Sequence, residues 1–424
     1  MLLPHQRFVT VGGFTGSLQN KAMVTQLNAP PQPDSSLTCN AEESDSRIWL
    51  HVLNSAGDKK LVLSPDTDVY NIGLPLIAET NLDVIVRLSQ FTSKDLRLLH
   101  MKALINAFTN DPDLAMIPKV QVLSTMQAVY VCTGCDFISF FHGLGKAYFL
   151  NSVFEYSAFI CSNSEQTPGT LADPESESSF FRLVGCTYFR MHKAAFLPTY
   201  PTPMTIFNSL SKDHQTPRAH HSAWLQFLRE RVWSRIKYEE EMIPSDDSLE
   251  RYWKRSCWVL AIWKQANSNN INYPPLIGNG WKRIDTDTLQ IDLDSDDNIS
   301  EVRTRVALIK KGCGCKTGCM TNRCKCKKSG SFCGPGCACL SCCNLPAQAA
   351  SGEQVDIEVS ETVNPESDDS DLDTDVDNIM YRVFGDGGCA DTEHSDSEYA
   401  DSDSCSSKSD TEARRRSVDV IANA

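Results

Sequence analysis

The chain has 424 residues, 41% of them apolar, and a formal net charge of −14. That length accommodates two or three domains, and the apolar share suffices for packed cores. No run of 18 apolar residues occurs, which argues against a membrane-spanning helix and a membrane role, and the N-terminal MLLPHQRFVTVGG lacks the charged and apolar regions of a signal peptide.

The charge is unevenly spread. From Ala347 onward there are 21 acidic and 5 basic residues, a net of −16, so the rest of the chain carries about +2. Between Lys310 and Asn344 there are seven Lys or Arg and no acid.

In chain order, residues 1–38 read as an N-terminal segment ending in a Pro-rich linker, APPQPDSSLT. From 39 to 201 apolar runs alternate with turns, and an α/β domain is expected. Within it, DSRIWLHVLNSAG has helical spacing through Ile48, Leu50, Val52 and Leu53 and stops at Gly57. The run KKLVLSPDTDVYNIGL reads as a strand over Leu61 to Leu63 that opens into a polar turn. Residues 218–290 form a Trp-rich helical region. Trp224, Phe227, Leu228 and Val232 mark one amphipathic helix; Leu249, Trp253, Cys257 and Leu260 mark a second, with the N-cap signal MIPSDDS between them. The tryptophans are expected to pack in a core. Residues 346–424, rich in Ser and Asp, cannot offset their ordering entropy and are expected to be disordered. This acidic tail suits acid-directed phosphorylation and basic chromatin partners.

The segment 310–345 is the most specific part of the chain. Ten of its eighteen cysteines lie in 31 residues, spaced C-x-C-x3-C-x4-C-x-C-x6-C-x3-C-x-C-x2-C-C. Thiolates bind zinc tetrahedrally, and a reducing cytosolic or nuclear compartment favours metal over disulfides. Ten thiols can close two separate four-cysteine sites. Alternatively, nine can hold three zinc ions if three sulfurs bridge, and C-x-C pairs suit that arrangement. With almost no apolar residues, the segment needs metal for its folding energy. A metal-storage segment is the competing reading, and the basic flanks favour nucleic acid instead.

This stretch resembles the CXC (tesmin/TSO1-like, CRC) domain. Cys313, Cys315, Cys319, Cys324, Cys326, Cys333, Cys337, Cys339 and Cys342 fall on its pattern, and Asn344 matches its closing Asn. The resemblance implies a cluster of about three zinc ions that binds DNA, with one residue entering the minor groove. Arg323 stands at that position, and a guanidinium suits a narrow groove. Lys316, Lys325, Lys327 and Lys328 are then expected on phosphates.

Carboxylates supply a second signal. Glu43 and Asp45 stand at a helix start, Asp66 and Asp68 just past a strand, and Asp136 precedes Gly143, Gly145 and Lys146 in TGCDFISFFHGLGKA. Carboxylates at such places can converge on divalent cations that activate water for phosphodiester cleavage, although each alone reads as a cap or turn residue. The ordered set resembles the flap-endonuclease branch of PIN-like nucleases, in the divergent form found in transposon-derived proteins with a C-terminal cysteine segment. That resemblance implies Mg or Mn at the five carboxylates, and a DNA phosphate held by the hairpin at Gly143, Gly145 and Lys146. Acids expected on earlier strands are missing, so an incomplete PIN-like domain with little nuclease activity is expected.

The reading is thus a nuclear, or otherwise cytoplasmic, zinc-dependent DNA-binding protein of transposon-related type. A divalent-metal nuclease and a chromatin-associated scaffold are the alternatives.

Overall fold

The structure is a computed structural model. It describes residues 3–344 except 4, 13, 42, 90–95, 162–173, 198, 211–215, 234, 237, 286–287, 296–298, 301, 305–311, 316–317, 329–332, 334–336, 338 and 340–342. The acidic tail, Lys316 and Cys342 lie outside the described residues. The described residues form two compact units: those up to Asp111 with Ala261–Tyr273, and Pro112–Leu260 with those from Pro274 to Asn344.

In the first unit, β1 (Arg7–Val11), β2 (Ala22–Gln26) and β3 (Gln32–Asp34) form an antiparallel sheet. The expected linker is therefore structured. Pro33 is tolerated because β3 lies at the sheet edge, where a missing N–H disrupts no ladder. Asp34 then accepts from the Ser36 N–H (2.9 Å) and closes a 3-10 turn over Ser35–Leu37, which buries Leu37. Asn269 donates to Ser36 O (2.6 Å) and Thr38 O (2.9 Å), and Asn40 exchanges two hydrogen bonds with Ile271. Pro and Ser punctuate this segment without freeing it, because its backbone groups find partners far along the chain.

The helix read from DSRIWLHVLN is α1 (Ser44–Asn54), and the adjacent strand is β4 (Lys59–Leu63). Lys60 joins them: its buried ammonium donates to Ser55 O (2.6 Å) and Ala56 O (2.7 Å), carbonyls at the negative end of α1. After β4 come α2 (Thr67–Ala78), β5 (Asp83–Arg87), β6 (Leu98–His100) and α3 (Met101–Asn110). β4 and β5 run parallel, as a strand pair bridged by a helix must, and β6 is antiparallel to β5. One face of this sheet carries Lys60, Val62, Val84, Val86 and Leu99, all buried. The other carries Leu61, Leu63, Ile85 and Leu98, with Leu61 41% and Leu98 46% exposed.

The second unit is largely helical: α4 (Lys119–Val131), α5 (Lys146–Ile160), α6 (Pro174–Met191), α7 (Pro203–Ser209), α8 (Pro217–Val232) and most of α9 (Asp246–Trp263), followed by the hairpin β7 (Trp281–Arg283)–β8 (Leu289–Ile291). The α/β alternation expected to run to 201 thus gives way to helices at 112. Apolar runs such as VLSTMQAVYVC are buried nearly all round, and periodicity alone does not separate a buried helix from a buried strand. Two Thr-Pro pairs start helices as their chemistry dictates. Thr202 and Thr216 accept from the N–H three residues on, and Pro203 and Pro217 occupy the first helical position. α8 and α9 are the two helices read from residues 218–266. Ser245 accepts from the Ser248 N–H (3.1 Å), as MIPSDDS implies. The tryptophans pack as expected: Trp224, Trp253 and Trp258 are buried, and Phe180 stacks on both Tyr252 and Trp253.

Candidate metal centre

Between Cys313 and Asn344 the described backbone has one helical turn, α10 (Lys325–Lys328). Elsewhere the chain bends tightly. Gly318 and Cys319 are both left-handed, at φ +30° and +46°. Positive φ at a cysteine is unfavourable, and here it turns the Cys319 thiol back toward Cys313.

The thiols converge. Cys313 Sγ lies 3.5 Å from Cys319 Sγ and 3.8 Å from Cys333 Sγ; Cys324 is 3.6 Å from Cys333, and Cys326 is 3.4 Å from Cys337. These separations are far beyond a disulfide bond of about 2.05 Å. They match the sulfur–sulfur edge of a zinc-thiolate tetrahedron, about 3.8 Å for zinc–sulfur bonds of about 2.3 Å. Three groups of four sulfurs each fit within 4.8 Å: Cys313, Cys315, Cys319 and Cys324; Cys313, Cys333, Cys337 and Cys339; and Cys313, Cys324, Cys326 and Cys333. The groups overlap. Cys313 belongs to all three, and Cys324 and Cys333 to two each. This arrangement can hold metal, and its all-sulfur donors suit zinc.

Donors surround the sulfurs as thiolates require. The Lys327 N–H points at Cys324 Sγ (3.5 Å), Asn344 Nδ2 at Cys333 Sγ (3.4 Å) and the Cys313 N–H at Cys337 Sγ (3.4 Å). The Cys333 N–H in turn donates to Asn344 O (2.9 Å), so Asn344 is held by backbone and side chain together. The Cys315 N–H and hydrogen bonds from neighbouring thiols bring the Cys313 thiol down to about 5, while burial raises Cys319. The tenth cysteine, Cys343, is exposed and stands in none of the three groups.

Arg323, Lys325, Lys327 and Lys328 are all exposed. Lys327 is tied back, its ammonium donating to Met320 O (2.7 Å), which leaves it less free than its neighbours to meet a phosphate. Sequence spacing did not signal that tie.

The carboxylates have other placements. Asp66 caps α2, accepting from the Asp68 N–H (2.9 Å), and Asp68 lies in its first turn. Glu43 and Asp45 stand at the start of α1. No three of these four bring oxygens within 4.8 Å of one another; among the described residues only the cysteines form such groups. In the second unit, Asp136 is exposed in the turn Cys135–Ile138. Gly143 is left-handed (φ +70°) and Gly145 caps α5, so a turn does join α4 to α5. Lys146 corrects its expected role. It is 6% exposed, with its ammonium 3.6 Å from the Tyr130 ring centre, inside the helical unit rather than on a surface a phosphate can reach.

No protein-family model, no curated protein and no solved structure matches the chain.

Proposed function

We propose that residues 313–344 are a zinc-thiolate module that binds DNA, with the CXC domain as the family it resembles. The overlap of the three four-sulfur groups carries this reading. If Cys313, Cys324 and Cys333 bridge, the first group is complete with Cys315 and Cys319 as terminal ligands. The second is complete with Cys337 and Cys339. The third has Cys326 and needs one more ligand in place of Cys313, and Cys342 is the remaining cysteine of the pattern. Three bridging and six terminal thiolates give each of three ions four sulfurs. Zinc, when bound, supplies the cross-linking that an apolar core supplies elsewhere.

The electrostatics suit a polyanion. Nine thiolates and three dications leave −3, so the five Lys and Arg of residues 313–344 make the loaded module about +2, and Lys310 and Lys311 just before it add two more. Arg323 precedes Cys324, whose sulfur would bridge two ions, so its backbone is anchored while its side chain stays exposed. A guanidinium so placed enters a narrow A·T-rich minor groove, while Lys325 and Lys328 meet phosphates. On this reading the protein acts in the nucleus.

The test uses the full chain. Native mass spectrometry counts zinc, and fluorescence anisotropy follows binding to A·T-rich and G·C-rich duplexes before and after chelation. Three zincs and chelator-sensitive binding are expected. Two zincs with free thiols would overturn the bridged cluster, and undiminished binding after complete zinc removal would overturn the metal's role.

A further inference from the structure

The helical unit has a cleft of about 380 Å³ between α9 and the β7–β8 hairpin. That volume falls within the range of small-ligand sites, about 300–1,000 Å³. α9 lines it with Asp247, Glu250, Arg251 and Lys254, which recur at i, i+3, i+4 and i+7 and so share one helix face. Opposite stand Trp281 and Asp292, at the open end of the hairpin. The walls are fixed. Gly280 is left-handed (φ +91°), and a Cβ there would stand 2.5 Å from Arg251 O, so the loop before β7 lies directly on α9. Gly280 O accepts from Arg255 Nη1 (3.1 Å) and from the Asp292 N–H (2.9 Å). Trp281 is half-buried and braced edge-on by buried Trp258, with 5.2 Å between ring centres.

Charge decides what the cleft can take. Both oxygens of Glu250 are engaged, by Lys254 (2.7 Å) and Arg218 (3.1 Å), and both of Asp292, by Arg251 (3.0 Å) and Lys282 (3.4 Å). Arg251 and Lys254 are thus spent on carboxylates, and an anion would have to break these pairs beside three acids. Asp247 differs. It is exposed, and its carboxylate has no hydrogen bond or ion pair among the described residues. Three acids and two bases line the cleft, a net of −1, and Asp247 is the acid left over.

A cation therefore fits, and Trp281 narrows its kind. A flat, weakly hydrated guanidinium stacks on an indole better than a compact ammonium does, and it meets a carboxylate through two parallel hydrogen bonds. We propose that the cleft binds an arginine side chain of a partner peptide, its guanidinium paired with Asp247 and stacked on Trp281. The matched pairs at Glu250 and Asp292 keep the rest of the lining neutral, so recognition falls to those two residues. The site does not depend on what the cysteine segment binds.

Titration of the full chain with N-acetyl-arginine amide, followed through the indole N–H resonances of its seven tryptophans, tests this. W281F identifies the Trp281 signal by its loss. That signal should shift saturably at millimolar ligand, while those of the buried tryptophans stay in place and report an intact fold. N-acetyl-citrulline amide, of the same shape without the charge, should bind at least about tenfold more weakly, and D247N should weaken the arginine derivative about tenfold or more. N-acetyl-lysine amide should bind about threefold more weakly or worse. A Trp281 signal unmoved by the arginine derivative would overturn the proposal. So would equal affinity for the citrulline derivative, or affinity unchanged in D247N, which would place the binding elsewhere in this acidic chain. Lysine binding as tightly would overturn the choice of guanidinium.

Discussion

Trp49 lies flat against Gly73: a Cβ built at Gly73 would stand 2.0 Å from Cζ2 of the indole. The ring cannot retreat. It is fully buried, and its Nε1–H donates to Val69 O at 2.8 Å. α1 and α2 therefore touch through a glycine in the middle of a helix, where helix propensity alone would favour Ala by about 1 kcal/mol. Sterics should win. G73A is expected to destabilise the first unit by about 2 kcal/mol or more, read as a lower urea midpoint by tryptophan fluorescence. A midpoint equal to or above that of the native chain would show that the helices separate without cost. The same relation recurs in the second unit, where a Cβ at Gly185 would lie 2.4 Å from Trp224.

The overlap of the sulfur groups separates two classes of cysteine. Cys313 stands in all three groups and Cys315 in one. C313S should cost at least two zinc ions per chain and most of the segment's protection from exchange, whereas C315S should cost one ion at most. Zinc content by inductively coupled plasma analysis decides this. Equal losses in the two variants would mean separate four-sulfur sites.

Arg323 and the lysines should differ in kind. R323A is expected to weaken binding to A·T-rich duplexes about tenfold and to erase the preference over G·C-rich ones, with zinc content unchanged. K325A or K328A should leave the preference and lower the slope of affinity against salt by about one ion. K327A should do less, because its ammonium is engaged by Met320 O. Anisotropy at two salt concentrations tells these apart; an unchanged preference in R323A would reduce the segment to a general basic patch.

Acid should loosen the first unit. Burial, with Arg47 alongside, holds His51 down to about 4 from the usual 6.5, and its Nε2 is buried with no partner. Unfolded chains take up the proton below about 6.5, while the folded unit refuses it until about 4. Stability is thus complete above pH 6.5, falls as pH drops toward 4 and levels below that. The difference of about 2.5 pH units corresponds to at most about 3 kcal/mol. H51L should flatten this part of the profile in urea titrations between pH 4 and 7. Burial brings His221 in the second unit to about 4 too, so acid sensitivity should persist there. A native-like slope for the first unit in H51L would place the titration on another group.

Local chemistry was legible in the residues wherever neighbours in sequence decide the outcome. Helix α1 ends before Gly57, β4 spans the apolar run read as a strand, and α8 and α9 bury the stripes that their period marks. The cysteine segment was legible for the same reason, since thiol spacing within 31 residues limits which sulfurs can share an ion. Tertiary structure decided what depends on distant partners. The stretch 32–38 was unreadable as strand and turn because β2 and Asn269, far along the chain, satisfy its backbone. Asp66 became a helix cap, and Lys146 became a buried cation over Tyr130, because residue type and order do not fix where a side chain points. The three-way sharing of Cys313 belongs to the same class. Spacing allowed either two separate sites or one bridged cluster; the overlap on which the bridged reading rests appears only when Cys319, Cys324 and Cys333 fold back onto Cys313 and Cys337 onto Cys326, since sulfurs can be shared only when turns of chain meet within about one tetrahedral edge of each other.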